Sequence, residues 1–131
     1  MAYSVFISHA SSDRWVAGQI GKEIAAVGPE HFLDSNAVET GDEVDVELRT
    51  ALQDADELLV LLTPTAVERP YVWIEMGAAW IQGKRIVGIL YGTTTSELAA
   101  RDGTPAFLAG IVLRDINDLD EYLEELRQRS N

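Results

Sequence analysis

The stretch ELLVLL, at residues 57–62, decides the fold. It is a continuous apolar run that begins with a single glutamate. A run of this kind is expected of a central strand in a parallel sheet, because both faces of such a strand are covered. We therefore predict that residues 57–62 form the central strand of a sheet that carries helices on both faces.

Strands and helices are predicted to alternate on both sides of this run. Four further short apolar stretches are predicted as strands: YSVFI (3–7), HFL (31–33), RIVGILY (85–91) and GIVLR (110–114). Five strands that alternate with helices fit the flavodoxin-like doubly wound order 2-1-3-4-5. We therefore predict an α/β fold with a five-stranded parallel sheet, helices on both faces, and a single domain over residues 1–131.

Helix signals lie between the predicted strands. The residues Ser11 to Asp13 offer caps for a first helix, whose apolar face is Val16, Ile20, Ile24 and Val27. Thr40 and Glu43 have capping-box spacing before a second helix. Pro70 suits the first turn of a third helix, which extends to about Gln82. A helical turn within residues 94–101 and a closing helix behind Asp118 complete the pattern.

The composition is that of an ordinary globular protein, with 47% apolar and 24% charged residues. A net charge of −12 opposes binding to nucleic-acid backbones and anionic membranes, since both require clustered Lys and Arg. The chain has no cysteine, which excludes disulfides, a thiolate nucleophile and sulfur-ligated metals. No apolar run approaches the length of a membrane span, and the first residues lack the basic region of a signal peptide.

Glu75 stands within the apolar run YVWIEMGAAW, at residues 71–80. Doubly wound sheets bind ligands outside the carboxyl ends of the strands where the strand order reverses, here between strands 1 and 3. The segments expected there are SHASS (8–12) and TPTAVERP (63–70). Because Glu75 lies about 7 Å along its helix from Pro70, we expect it near the mouth of the crevice.

Helical periodicity leaves two interpretations of Glu75 open. Tyr71, Glu75 and Gln82 fall on one narrow stripe, opposite Trp73 and Trp80, so one interpretation is that Glu75 simply faces water. The other is that Glu75 lies in a pocket, because the residues flanking the stripe are small or apolar. A carboxylate beside an aromatic platform such as Tyr71 can cleave an N-glycosidic bond, since the anion stabilises positive charge that develops at the sugar carbon.

Four stretches together resemble the TIR (Toll/interleukin-1 receptor) domain in its bacterial form: VFISHASSD (5–13), FLDSNAVETGDEV (32–44), LVLLTP (59–64) and WIEMGAAW (73–80). They occur in the correct order, and the resemblance extends over nearly the whole chain. The first stretch and the segment from Asp34 to Gly41 are the most specific. The resemblance implies a flavodoxin-like fold in which the loop 34–43 is the BB loop, which is used for self-assembly into a homo-oligomer.

The resemblance also implies an activity and a site. Many TIR domains of this type cleave NAD⁺ at the nicotinamide–ribose bond, releasing nicotinamide and ADP-ribose or a cyclic isomer. NAD⁺ would then be the substrate, and neither a cofactor nor a metal is expected. The family's catalytic glutamate falls on Glu75. The positions that would bind substrate fall on Ser8, His9, Ala10, Asp34 and Tyr71.

The sequence departs from the family pattern at one place and leaves some roles open. The cysteine that often precedes the catalytic glutamate is absent, and Trp73 lies nearest its position; that cysteine does not carry out the chemistry. His9 equally suits a local hydrogen bond, and Asp34 suits a cap on the loop backbone. We expect His31 in the packing or on the surface of the second strand. The tryptophans at positions 15, 73 and 80 are expected in the core or an interface.

Missing motifs argue against several function classes. The chain lacks the GxGxxG motif of dinucleotide-binding enzymes, which disfavours hydride transfer. It also lacks a Walker sequence, which disfavours nucleoside triphosphate hydrolysis. A response-regulator receiver needs acidic residues where this chain has Ser8-His9 and Thr63-Pro64. Three hypotheses remain: an NAD⁺ glycohydrolase or cyclase in a cytoplasmic, defence- or toxin-like setting, a non-enzymatic TIR–TIR interaction module, and a nucleoside deoxyribosyltransferase-like enzyme.

Overall fold

The computed structural model describes residues 2–33 and 46–131, and the side chains within them except those of 46–49. Five parallel strands form one sheet in the order β2-β1-β3-β4-β5. The strands are β1 (Ser4–Ser8), β2 (Glu30–Leu33), β3 (Glu57–Leu62), β4 (Arg85–Leu90) and β5 (Val112–Asp115). The predicted α/β flavodoxin-like topology is confirmed.

Within residues 2–33 and 46–131, five α-helices connect or follow the strands: α1 (Arg14–Ala26), α2 (Val46–Asp54), α3 (Pro70–Ile81), α4 (Thr95–Ala100) and α5 (Leu119–Ser130). Pro70 occupies the first turn of α3, as predicted, because its missing N–H would have no partner there. The fifth strand begins later than predicted, since residues 106–110 form a 3₁₀ helix. No helix in the described part of the chain is long and apolar enough to cross a membrane.

The core consists of one apolar layer on each face of the sheet. All six side chains of β3 are buried, which confirms the prediction for the run at residues 57–62. Alternate residues of β3 point to opposite faces, because successive side chains in a strand alternate. One layer includes Phe6, Leu58, Val60, Leu62 and Met76, and the other includes Ile7, Ile24, Leu59, Leu61 and Leu126.

His31 is exposed on β2, and its ring lies over Gly21 of α1. A Cβ atom at position 21 would come within 2.7 Å of His31 Nε2, so the glycine permits the ring to approach the helix. The predicted role of His31 in strand packing and surface is confirmed.

A buried charge cluster holds the amino end of β3; it consists of Tyr3, Glu57, Tyr122 and Arg129. Glu57 is fully buried. The Tyr3 hydroxyl donates to Oε1 at 2.5 Å, and the Tyr122 hydroxyl donates to Oε2 at 2.7 Å. Arg129 donates from Nε and Nη2 to the two carboxylate oxygens at 3.1 and 3.2 Å. The Glu57 cluster therefore joins α5 and the segment before β1 to the central strand. It also supplies hydrogen-bond partners for the buried Glu57 carboxylate, which offset the cost of removing its charge from water.

The Glu57 cluster should make folding stability sensitive to alkaline pH. Burial, and then the hydrogen bond and negative charge of Glu57, raise the pKa of Tyr3 to about 12. The same causes raise the pKa of Tyr122 well above its ordinary value. A raised folded-state pKa means that this stabilisation is fully present below the unfolded-state pKa of about 10 and is lost as pH rises from there.

We predict that the thermal midpoint falls as pH rises from about 10 to 12. The variant Tyr3→Phe removes one titrating group from the Glu57 cluster, so its midpoint should fall less steeply over the same range. Thermal unfolding monitored by circular dichroism in half-unit pH steps measures both slopes. Equal slopes in the two proteins would show that Tyr3 does not contribute to the pH dependence.

Candidate active site

The candidate site lies at the carboxyl ends of β1 and β3. The strand order reverses between these neighbours, because β2 lies beyond β1 on one side and β4 lies beyond β3 on the other. Ser8 is the last residue of β1 and pairs in register with Val60 of β3. Helix α3, which carries Tyr71 and Glu75, follows β3 through a 3₁₀ helix at residues 66–68. The predicted segments therefore meet at the topological switch point.

Glu75 faces the protein interior. Its side chain is only 4% exposed, and it shares the buried face of α3 with Val72, Met76 and Ala79. The water-facing side of the helix is apolar instead, with Ile74 64% exposed and Ile81 79% exposed. The interpretation of Glu75 as a solvent-facing residue is wrong, and the pocket interpretation is the one that fits its burial.

Ser8 holds the Glu75 carboxylate. Ser8 is fully buried, and its Oγ donates to Glu75 Oε1 at 2.6 Å. A hydrogen bond to a carboxylate at this distance is of the short, charge-assisted kind. The bond offsets part of the cost of removing the carboxylate from water. The end of β1 and the second turn of α3 are thus joined at the predicted catalytic residue.

Three of the remaining predicted site residues lie close to Ser8 or Glu75 along the chain. His9 and Ala10 follow β1 and are both buried. Tyr71 lies one turn before Glu75 and packs half-buried against the apolar layer that contains Met76, with its hydroxyl oxygen buried. Asp34, with the whole loop 34–43, lies outside the described residues.

A second hydrogen bond joins the segments that follow the carboxyl ends of β1 and β3. Thr63 Oγ1, immediately after β3, donates to Asp13 Oδ2 at 2.5 Å and accepts from the backbone N–H of Ala66 at 3.0 Å. The sequence offered Asp13 as a helix cap, but its side chain makes no capping hydrogen bond to α1. The Thr63 contact was missed because nothing in the local pattern links residues 50 positions apart.

The three tryptophans occupy different environments. The indole N–H of Trp73 donates to the carbonyl of Val67 at 3.0 Å, so this half-buried ring braces the start of α3. Trp80 stacks on Phe107 with ring centroids 5.3 Å apart and is still more than half exposed. Trp15 projects from α1 with 75% of its surface exposed. Trp15 and Trp80 therefore do not lie in the core. Their predicted place in an interface stays a prediction.

Within the described ranges, no group of three or more His, Asp or Glu side chains is placed to hold a metal ion. A separate cavity of about 520 Å³ lies between α4 and β5, and its lining includes none of the predicted site residues.

Comparison with known proteins identifies the family. The family model for the TIR domain matches residues 5–128. No match was found among curated proteins.

Solved structures share the fold at low sequence identity. The TIR domains of the activated Roq1 resistosome, which recognises the pathogen effector XopQ, align with a TM-score of 0.73 and 15% identity over 98% of this chain and 99% of that one. The TIR domain of the Toll-related receptor TRR-2 from Hydra magnipapillata aligns with a TM-score of 0.69 and 19% identity, over 95% and 98% of the two chains.

A flavodoxin, WrbA-like protein from Agrobacterium tumefaciens has a TM-score of 0.56 and 12% identity, over 99% and 98% of the two chains. This likeness agrees with the strand order of the sheet. From the family match over residues 5–128, the chain belongs to the TIR-domain family.

Proposed function

We propose that this TIR domain cleaves NAD⁺ at the nicotinamide–ribose bond, with Glu75 as the catalytic residue. The observation that carries the proposal is the buried Glu75 carboxylate at the switch point of the sheet, held there by Ser8 at 2.6 Å. A glutamate on an apolar helix has no need to be turned inward for stability, because exposure to water would solvate it. Buried carboxylates in a crevice are candidates for chemistry.

The proposed reaction breaks the bond between C1′ of the ribose and the ring nitrogen of nicotinamide. The bonding electron pair moves to the ring nitrogen and neutralises the pyridinium, and positive charge develops at C1′. The Glu75 anion stabilises that charge electrostatically. Addition of water at C1′, with loss of a proton, gives ADP-ribose; attack by a nitrogen of the substrate's own adenine gives a cyclic isomer. No cofactor or metal enters these steps.

Four residues are proposed to position the substrate. Tyr71 offers an aromatic surface one helical turn from Glu75. His9 and Ala10 follow Ser8 at the carboxyl end of β1. The proposal for Asp34 rests on the family resemblance alone.

Incubation with NAD⁺, followed by chromatography and mass spectrometry, tests the proposal. The expected products are nicotinamide and an equal amount of ADP-ribose or a cyclic isomer. A deoxyribosyltransferase-like enzyme would instead exchange the base of an added 2′-deoxyribonucleoside. A pure interaction module would leave both substrates intact.

Exposed apolar side chains support a second function, self-association. Ile74 and Ile81 lie two turns apart on the outer side of α3, where both are exposed. Trp15 is exposed on α1, which packs on the opposite face of the sheet. Large apolar side chains exposed together mark interaction surfaces. We propose that active protein is a homo-oligomer in which the BB loop 34–43 contacts a neighbouring copy. A TIR–TIR module of this kind is compatible with catalysis.

We predict that specific activity rises with protein concentration. A net charge of −12 makes copies repel one another, so association should be weak at low salt. Salt should assist, because the Debye length falls from roughly 10 Å at 0.1 M to about 3 Å at 1 M. Gly41→Pro should restrict the loop backbone and suppress activity without unfolding the protein. Rates per enzyme over a hundredfold dilution series, with light scattering, measure the effect; a flat profile from a monomer would contradict it.

We predict that truncating the Tyr71 side chain lowers the efficiency of NAD⁺ cleavage. Base–aromatic stacking is worth about 1–3 kcal/mol, so Tyr71→Ala should lower kcat/KM by roughly fivefold to over a hundredfold. Tyr71→Phe keeps the ring and should retain most of the activity. Steady-state kinetics of the two variants decides the matter. If Phe is as damaging as Ala, the buried hydroxyl is the important group and stacking is the wrong explanation.

A further inference from the structure

The geometry points to Ser8 as a positioning residue that keeps the Glu75 carboxylate ionised and oriented, rather than as a group that contacts substrate. This inference deepens the proposed function and rests on it for its catalytic consequence. The hydrogen bond between Ser8 and Glu75 belongs to the folded protein and does not depend on the proposed activity.

Ser8 is poorly placed to touch a ligand. It is fully buried, and its Oγ is already committed to Glu75 Oε1 at 2.6 Å. Donation of a hydrogen bond to a substrate would require breaking that bond while the carboxylate stays in an apolar setting, which is costly. Oγ could still accept a hydrogen bond, but its full burial keeps a ligand away from it. The resemblance-based assignment of Ser8 to substrate binding is therefore replaced by a role that acts through Glu75.

The sheet fixes the donor more firmly than a loop would. Ser8 is the last residue of β1, and its neighbours Phe6 and Ile7 pair with β2 on one side and β3 on the other. The backbone that carries Oγ is thus held on both sides at the centre of the molecule. Groups built on strands are held more precisely than groups on loops. One Glu75 oxygen is accordingly fixed relative to the crevice.

The hydroxyl also acts on the charge of Glu75. Burial favours the neutral carboxylic acid, whereas a donated hydrogen bond favours the anion. The proposed chemistry requires the anion, so the Ser8 donor works in the direction that catalysis needs. Among the described residues, the charged and titratable groups in the segments that adjoin Ser8 and Glu75 are His9 and Asp13 after β1, Glu68 and Arg69 before α3, and Tyr71 on α3. Helix α2, which packs against α3, adds Asp54.

Nuclear magnetic resonance tests the role of Ser8 without reference to activity. The side-chain carboxyl carbon of Glu75 is followed from pH 3 to 9 in ¹³C-glutamate-labelled protein and assigned by its absence in Glu75→Gln. Ser8→Ala should raise the titration midpoint of the Glu75 carboxyl group by about 1 to 2 pH units, which is the effect of losing one charge-assisted hydrogen bond. The matched control Ser12→Ala removes an exposed serine hydroxyl nearby and should leave the midpoint unchanged.

An unchanged midpoint in a folded Ser8→Ala protein would overturn the inference. If Ser8→Ala does not fold, Ser8→Cys keeps the volume with only a weak donor, and its midpoint should rise in the same direction. In kinetics, Ser8→Ala should lower kcat with little change in KM and move the acid limb of the pH–rate profile to higher pH. A wild type that does not cleave NAD⁺ would refute the proposed function, while the midpoint measurement would still decide the role of Ser8.

Discussion

Replacing Glu75 with glutamine is expected to lower NAD⁺ turnover by at least two to three orders of magnitude, about 3–4 kcal/mol in transition-state stabilisation. Glutamine keeps the size of the side chain and still accepts the Ser8 hydrogen bond, so the loss reports the missing charge. Thermal stability should hardly change or should rise, because a 4% exposed carboxylate is costly to bury. Steady-state kinetics and a thermal melt on the same preparation measure both effects.

The matched control is Glu23→Gln, which removes an exposed carboxylate from α1. It changes the net charge by the same amount and should leave turnover and stability near those of the wild type. Near-normal turnover in Glu75→Gln would show that the carboxylate is not the catalytic group. Equal losses in both variants would point to a general effect of net charge on assembly.

The largest effect on stability is expected at the other end of the sheet. Glu57→Gln should destabilise the protein by about 3 kcal/mol, at the lower end of the range for breaking a buried ion pair. The lower end applies because Arg129 is 22% exposed, so water can solvate part of its charge once its partner is gone. The amide would also place its N–H donors against one of the two donating hydroxyls, that of Tyr3 or that of Tyr122. Urea unfolding gives the free energy of unfolding directly.

Glu124→Gln is the control for this prediction, because Glu124 pairs with Arg127 at the surface. Surface ion pairs contribute little, so the unfolding midpoint of this variant should stay at the wild-type value. A Glu57→Gln protein that unfolds at the wild-type urea concentration would mean that the Glu57 cluster does not stabilise the fold. Turnover per folded molecule should be unaffected, since the Glu57 cluster lies at the amino end of β3 and Glu75 lies beyond its carboxyl end.

The sheet was predictable because its signals are local. The apolar run at 57–62 indicated a strand covered on both faces, and Pro70 indicated where α3 begins; both are as predicted. The alternation of strands and helices then left few topologies, because connections between parallel strands are right-handed and short.

The direction of the α3 side chains was not predictable from periodicity. Apolar residues occur all around this helix, so a hydrophobic stripe does not single out the inner face. Which side turns inward is decided by long-range contacts, such as Ser8 with Glu75 and Trp80 with Phe107. For the same reason the partners of Glu57 and the bond between Asp13 and Thr63 escaped prediction, since each joins residues at least 50 positions apart.

The central claim is that positive charge develops at the nicotinamide-ribose C1′ of NAD⁺ opposite the Glu75 anion. Competition between ordinary NAD⁺ and NAD⁺ deuterated at that carbon tests it most directly. As C1′ becomes planar, its C–H bond bends more freely, so the deuterated substrate should react more slowly and accumulate in the unreacted NAD⁺. If bond cleavage is established as the rate-limiting step, a deuterium-to-protium ratio that stays at its starting value in the remaining NAD⁺ would contradict the claim. So would NAD⁺ that stays intact at every protein concentration.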